Sequence, residues 1–337
     1  MSELAEIAPA NPSDPTPSPL LEDVFFAPLL QALQVPGITR GCAVVDDVSF
    51  AVLAALRVLE NSKTGRDFIQ THGMPASPGL TRANYFDGLS SPRRLEMFIA
   101  LERELQRQQL PSLRVHDDRL AHLGELDEME IWAGDGHCIA HATHDPRNEK
   151  GGYRPVNLIY KLDLRSGWMR FMDLARPTAS CPDSDEIYIT LTNQMNHTPG
   201  SLNQCRRLRW NIEKAFDQQE QKLDERKAWT ASETGKRIQA IAMSIVHNLL
   251  RLFAAKLKSE EGIQDSKVIR AWQKDLAKRA EKARAAGRTL PGKLYQSLYR
   301  PTEVSLQFIR WLRVGLMRPT CYKLAIEQLH PLMRAYL

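Results

Sequence analysis

The sequence predicts an α/β protein in which a strand-rich centre lies between an all-helical N-terminal domain and a basic helical C-terminal region. Apolar residues recur at helical spacing up to about residue 120 and again from residue 201, and they alternate in between. Residues 201–337 carry 27 basic and 13 acidic residues, whereas residues 1–50 carry one Arg and seven acids. This asymmetry predicts a polyanionic partner, and solvated helix faces explain it equally well.

Composition excludes several other classes of protein. The balance of 43% hydrophobic and 25% charged residues is typical of a globular chain. No run of about 18 apolar residues occurs, so we expect no contact with a membrane. The five cysteines are scattered, which indicates a reducing cytoplasm rather than a disulfide framework or a zinc ribbon. Residues 1–20 are acidic and proline-rich, and they predict a disordered tail rather than a signal peptide.

Residues 21–120 predict a small helical domain. Within residues 43–60, four apolar side chains form one helical stripe: Val48, Val52, Leu56 and Leu59. Thr81 and the Ser91-Pro92 pair are typical starts of further helices, the first through Leu89 and the second through about Gln108. Such a domain binds DNA in many proteins, and a plain helical scaffold is an equally good interpretation.

The centre of the chain predicts strands. The segment M-E-I-W-A-G-D-G is typical of a short strand ending at Asp135. Residues 156–175 predict a hairpin whose turn is Arg165-Ser166-Gly167, and residues 186–193 are again rich in β-forming types. Helical spacing then returns along residues 202–216 and 238–253, followed by a basic helix over 267–286.

Two acidic positions could carry chemistry. Asp135 lies between two glycines, which let solvent and backbone approach a carboxylate, but Gly-Asp-Gly is also an ordinary turn. Arg209 and Glu213 are four residues apart and share a helix face, next to the apolar residues Ile212 and Phe216. The simpler interpretation of that pair is a surface ion pair.

The order of these segments resembles the DDE transposases of bacterial insertion sequences, in the subgroup with a Tyr–Arg–Glu–Lys signature around the last acid. The residues that match are G-D-G-H (134–137), L-T-N (191–193), R-W-N-I-E-K-A-F (209–216) and A-M-S-I-V-H-N-L-L (242–250). The resemblance covers roughly residues 125–255 and extends only loosely to the flanks.

The resemblance implies a ribonuclease-H-like core over residues 125–255, in which three carboxylates hold two Mg²⁺ (or Mn²⁺) ions. Asp135 would be the first carboxylate and Glu213 the last, with Arg209 near DNA phosphate or orienting Glu213. Hard divalent cations prefer such oxygen ligands, and two of them suit in-line displacement at phosphorus. The implied partners are the DNA ends of the element and its target DNA. The implied protein is a homodimer that acts in the cytoplasm, in association with the nucleoid.

The chain departs from the signature at two positions. Arg206 stands where the family has its tyrosine, and Glu220 stands where it has its lysine. Lys222 lies two residues later and is the nearest replacement for that lysine. We therefore expect Arg206, Arg209 and Lys222 to contact DNA, in an altered register.

The middle carboxylate has no clear counterpart. Only about forty residues separate the hairpin from Glu213, too few for the helix, strand and insertion that the family has there. Asp173, Asp183 and Asp185 are the acids that could replace it, and Asp173 at least ends a predicted strand. We interpret the chain as a transposase with an internal deletion, in preference to an intact compact enzyme.

Three functions follow from these observations. The first is metal-dependent DNA cleavage and strand transfer, the second a catalytically dead DNA-binding remnant, and the third a Mg²⁺-dependent nuclease.

A zinc cluster at His137, His141, His144 and Asp145 is less favoured, because its spacing needs a helix where a strand is expected. The aromatic and basic stretch at 308–313 could meet nucleic acid, but its apolar residues more simply form a core stripe. Residues 256–337 complete the chain as a basic helical region.

Overall fold

The structure is a computed structural model. It describes residues 18–41, 44–60, 64–73, 79–121, 123–147, 155–175, 205–206, 208–223, 225–263, 266–287 and 306–334. The helices in these ranges are α1 (Leu21–Leu33), α2 (Asp47–Leu59), α3 (Gly65–Phe68), α4 (Arg82–Leu89), α5 (Pro92–Asp117), α6 (Trp210–Asp217), α7 (Glu233–Glu260), α8 (Ser266–Ala285), α9 (Leu306–Leu316) and α10 (Tyr322–Arg334). The strands are β1 (Trp132–Ile139), β2 (Val156–Asp163) and β3 (Met169–Ala175), and shorter helical turns cover Ile69–Gly73, Gly124–Leu126 and Gln218–Lys222.

Side-chain caps set where the N-terminal helices begin. The side chains of Asp46, Thr81 and Ser91 each accept a hydrogen bond from the backbone N–H three residues later, at the starts of α2, α4 and α5. Pro92 occupies the first turn of α5, where its missing N–H costs nothing. The predicted starts at Thr81 and Ser91 are confirmed, and α5 continues past the expected end to Asp117.

The three strands form an antiparallel sheet in the order β1-β2-β3. Alternate residues of β2 are buried on one face, namely Val156, Leu158, Tyr160 and Leu162. Gly167 has a φ of 74° in the connection to β3, a conformation that favours glycine. The predicted hairpin is confirmed, and the described part of the chain is mixed α/β. Residues 186–193 lie outside the described ranges.

Helix α7 occupies the centre of the molecule. It contacts α1, α2, α4, α5 and β3, so the helical N-terminal region and the sheet share one hydrophobic core. The predicted apolar stripe from Ile238 to Phe253 is buried throughout. The helix is long and apolar enough to cross a bilayer, but 83% of its apolar window is buried in the protein. The core helix of a soluble protein has these same properties.

The C-terminal helices α9 and α10 pack against α1. Phe308, Leu312 and Leu316 are buried, and the ring of Trp311 stacks on Phe253 with centroids 6.3 Å apart. The core interpretation of the aromatic stretch is therefore confirmed. The basic helix expected over residues 267–286 is also present, as α8.

Two expectations about local structure are wrong. Asp135 does not end its strand, because β1 continues to Ile139 in unbroken register with β2. The glycines around Asp135 therefore lie in a paired strand and do not form a turn. In α2 the predicted stripe is offset from the buried face: Val48 is exposed, whereas Phe50 and Leu53 are buried. The buried face includes these two because α2 packs against both α1 and α7.

A buried carboxyl joins three elements of this core. Oε1 of Glu102, on α5, accepts hydrogen bonds from the backbone N–H of Phe171 at 3.1 Å and from Oγ of Ser244 at 2.5 Å. Nε of Arg170 lies 3.7 Å from Oε2. Burial raises the pKa of Glu102 to about 7, and these hydrogen bonds and nearby arginines offset only part of that effect.

We predict that Glu102 makes stability depend on pH. Its folded pKa is raised, so its contribution is fully present below pH 4.5 and is lost as pH rises through about 7. Relative to Glu102→Gln, the wild type should lose roughly 3 kcal/mol of unfolding free energy across that window. Urea titrations of both proteins at pH 5 and pH 8 measure the difference.

The comparison with the variant is necessary because His247 titrates in the opposite sense. Burial lowers its pKa from 6.5 to about 3, so its contribution is fully present above pH 6.5 and is lost as pH falls from there through about 3. His247 is unchanged in Glu102→Gln and cancels in the difference. Equal pH profiles for the two proteins would contradict the assignment to Glu102.

Candidate functional site

Strand β1 presents Asp135 to the helix-covered face of the sheet. Directly opposed residues of antiparallel strands point to the same face, and Asp135 is opposite Tyr160. Tyr160 is fully buried, and its hydroxyl donates to the carbonyl of Ala240 on α7 at 3.3 Å. The side chain of Asp135 nevertheless remains 37% exposed. It therefore lies at the rim of the core, open to solvent on one side.

Helix α6 brings Glu213 to the same place. Nη1 of Arg209 lies 4.0 Å from Oδ2 of Asp135, and Nη2 lies 3.8 Å from Oε1 of Glu213. The three side chains are each 36–39% exposed. Two acids far apart in the sequence thus lie beside the same guanidinium.

The charge of Asp135 acts on Glu213. The pKa of Glu213 is raised, mainly by partial burial; the charge of Arg209 lowers it and the charge of Asp135 raises it. Arg209 supplies the positive charge between the two carboxylates.

His137 and Phe216 hold α6 against β1. Their rings stack with centroids 4.9 Å apart and an interplanar angle of 20°. Nδ1 of His137 lies 3.7 Å from Oε1 of Glu220, the residue that replaces the signature lysine. Burial lowers the pKa of His137, and the charge of Glu220 opposes this. This packing fixes the side of α6 that carries Glu213.

Asp173 does not join the pair. It is opposite Ile159 in the β2–β3 ladder, so it points to the sheet face opposite that of Asp135. Its Oδ1 lies 2.8 Å from Nη2 of Arg237 on α7. The pKa of Asp173 is lowered mainly by the hydrogen bond from the backbone N–H of Leu174, and the charge of Arg237 lowers it further. The structure gives Asp173 an ion pair and a backbone hydrogen bond instead of a place beside Asp135.

The predicted DNA-contact residues lie near α6. Arg206 is exposed one turn before Arg209, and Lys222 is half-buried after α6. The carbonyl of Lys222 accepts a hydrogen bond from Arg313 on α9 at 3.0 Å.

Asp183 and Asp185 lie outside the described residues. Of the proposed zinc ligands, His137 faces Phe216 and Asp145 pairs with Lys236 at 2.7 Å.

The pair fits part of a magnesium site. Mg²⁺ is commonly held by one or two carboxylates together with waters and substrate phosphate, and Asp135 and Glu213 offer that number. No group of three or more metal-ligating side chains occurs among the residues that the structure describes. Arg209 also has to leave the space between the carboxylates. The described residues therefore fit one ion shared with phosphate.

A second site, a basic cleft lined by Arg57 and Trp229, was not predicted from the sequence. Arg57 lies in the apolar run A-A-L-R-V-L of α2, where a single charge on a buried helix was the available signal. The cleft lies apart from Asp135 and Glu213, neither of which lines it.

Comparison of the chain with protein-family models, with curated proteins and with solved structures finds no match.

We predict that removing the guanidinium will raise the pKa of Glu213 further. In Arg209→Met, Asp135 acts on Glu213 without an opposing positive charge, so the protonated form is favoured. A ¹³C NMR titration of the Glu213 carboxyl measures the change. Arg237→Met is the matched control, because Arg237 pairs with Glu233 and Asp173. A Glu213 pKa that is unchanged or lower in Arg209→Met would contradict this electrostatic coupling.

Proposed function

We propose that this chain is a DNA transposase of the DDE insertion-sequence type, with Asp135 and Glu213 as the first and last carboxylates of its metal site. The observation that carries the proposal is the meeting of these two residues at Arg209. They are far apart in the sequence, and the resemblance singles out both. An ordinary surface ion pair between Arg209 and Glu213 would not require Asp135 to be beside them.

Three further features support the proposal. The strands β1, β2 and β3 follow one another in an antiparallel sheet, and the helix with the last carboxylate packs on β1. A long buried helix follows it, as the resemblance implies. A ribonuclease-H-like core is the proposed arrangement of residues 125–255. The C-terminal excess of basic residues suits DNA as the partner, and DNA places the proposed action in the nucleoid.

The proposed cofactor is Mg²⁺ or Mn²⁺, held by Asp135 and Glu213 together with DNA phosphate. When bound, the metal would activate a water or a 3′-hydroxyl and would stabilise the leaving oxygen. Arg209 would contact DNA phosphate, because its guanidinium matches the geometry of phosphate oxygens. Arg206, which is exposed, would extend that contact along the DNA strand.

A catalytically dead DNA-binding remnant is the second candidate. Two observations favour it: Arg209 lies between the carboxylates, and Asp173, the one described substitute for the middle acid, lies on the other face of the sheet. On this account the chain binds element ends and blocks them, without cleaving DNA.

The experiment is a nicking assay with Mg²⁺ on a supercoiled plasmid that carries the coding sequence with its native flanking DNA. The ends of an insertion sequence flank its transposase sequence, so this plasmid contains the proposed substrate. We predict that Asp135→Asn and Glu213→Gln each reduce nicking by about a hundredfold or more, since loss of a supporting partner alone costs roughly 10–100-fold. Asp173→Asn is the matched control and should keep wild-type activity.

The outcomes separate the candidates. Nicking that depends on Asp173 would show that a compact site includes that acid and that our placement of the site is wrong. Binding of the flanking DNA without nicking by the wild type would establish the remnant. Nicking without joining of the 3′-hydroxyl end to target DNA would establish a nuclease.

A further inference from the structure

A basic cleft lies between the N-terminal helices and the segment that leads into α7. Its volume is about 920 Å³, which is the size of a site for a nucleotide or a larger ligand. Five basic side chains line it: Arg57, Arg66, Arg82, Arg226 and Lys227. The two acids in its wall are Glu60 and Glu225, so positive charge predominates.

Both acids are already engaged by other groups. Oε1 of Glu60 lies 2.5 Å from Nε2 of His72. Oε2 of Glu225 accepts hydrogen bonds from Nε1 of Trp229 at 3.1 Å and from Nε2 of Gln239 at 2.9 Å. These contacts turn the acids toward their own partners.

Arg57 is the exceptional residue of the cleft. Its residue surface is only 8% exposed, and its Nη1 has no hydrogen-bond partner among the described residues. The guanidinium lies over the ring of Trp229 at 4.4 Å, and the rings of Tyr85 and Phe86 are each 5.5 Å away. Aromatic faces stabilise a buried cation only in part, and a buried charge ordinarily needs an anion or full hydrogen bonding.

The rest of the cleft suits a phosphate. Arg66 and Arg82 are exposed at its edge, and Nζ of Lys227 is held at 2.9 Å from Oγ1 of Thr143. Guanidinium groups bind phosphate through paired N–H donors, and Arg57 has a donor available and is held in place by surrounding rings. Arg57 already lies over the faces of the aromatic rings, so these faces are less available to stack on a base. The charge of Arg57 is therefore the main recognition element, and base stacking is secondary.

We infer that this cleft binds the phosphate of a nucleotide unit, with Arg57 as the buried anchor and Arg66 and Arg82 at the entrance. The phosphate site is inferred from the cleft alone. The choice of a DNA strand as its source rests on the proposed function, in which the cleft would hold DNA away from the carboxylates.

The test measures binding by isothermal titration calorimetry with four probes: inorganic phosphate, dAMP, a short single-stranded oligonucleotide and a duplex of the same sequence. Arg57→Met removes the anchor, and we expect the affinity for the bound probe to fall about tenfold or more, as for a lost charged hydrogen bond. Arg66→Ala is an exposed substitution that should weaken binding by a smaller factor without affecting the fold. Arg318→Ala is the control, because Arg318 is exposed and does not line the cleft.

A thermal unfolding curve of each variant serves as the control that it is folded. Binding of an oligonucleotide that weakens in both cleft variants, and not in the control, supports the inference. Binding of dAMP or phosphate without binding of DNA supports the phosphate site and overturns DNA as its source. Equal binding by the wild type and Arg66→Ala, or no binding of any probe, overturns the site. The phosphate and dAMP titrations need neither flanking DNA nor cleavage, so failure of the nicking assay leaves this result interpretable.

Discussion

The attachment of the β2–β3 hairpin to α7 is the constraint on which the other packing depends. Asn248 uses its amide group as a strand would, accepting from the backbone N–H of Met169 and donating to its carbonyl, both at 2.8 Å. Arg251 donates to the carbonyl of Ser166 at 2.7 Å, and Nε2 of His247 lies 3.1 Å from the carbonyl of Gly167. Buried polar groups are tolerable only when paired, so these bonds fix the position of the hairpin along the helix.

The position of the candidate site follows from that attachment. With β2 and β3 fixed on α7, the register of β1 decides that Asp135 points toward the helices. Phe216 then packs against His137 and Tyr160, which sets the position of α6 and brings Glu213 within reach of Asp135 through Arg209. A slip of one residue in β1 would turn Asp135 to the other face, where Asp173 lies. The carboxylate pair therefore depends on strand register as much as on the two acids.

Much of the fold could be predicted because it rests on local patterns. Alternation in β2, the caps at Thr81 and Ser91 and the apolar run of α7 each contain their own signal in a few residues. The glycines around Asp135 suggested a turn, and only pairing with β2 shows that the strand continues. Likewise no local signal assigns Asp173 to a face, or joins Arg57 to Trp229, because these depend on strand pairing and on packing between distant elements. Resemblance was needed to single out Glu213.

The most direct test of the central claim is to measure Mn²⁺ binding at the carboxylate pair in the presence of flanking duplex DNA. The readout is the enhancement of the relaxation rate of water protons by the bound Mn²⁺. If Asp135 and Glu213 share a metal ion, the wild type and Asp173→Asn will give the same enhancement. Asp135→Asn and Glu213→Gln will each lose it, because a single remaining carboxylate holds the ion weakly. Equal enhancement in all four proteins would contradict the account and leave Arg209 with two surface carboxylates as an ordinary ion-pair network.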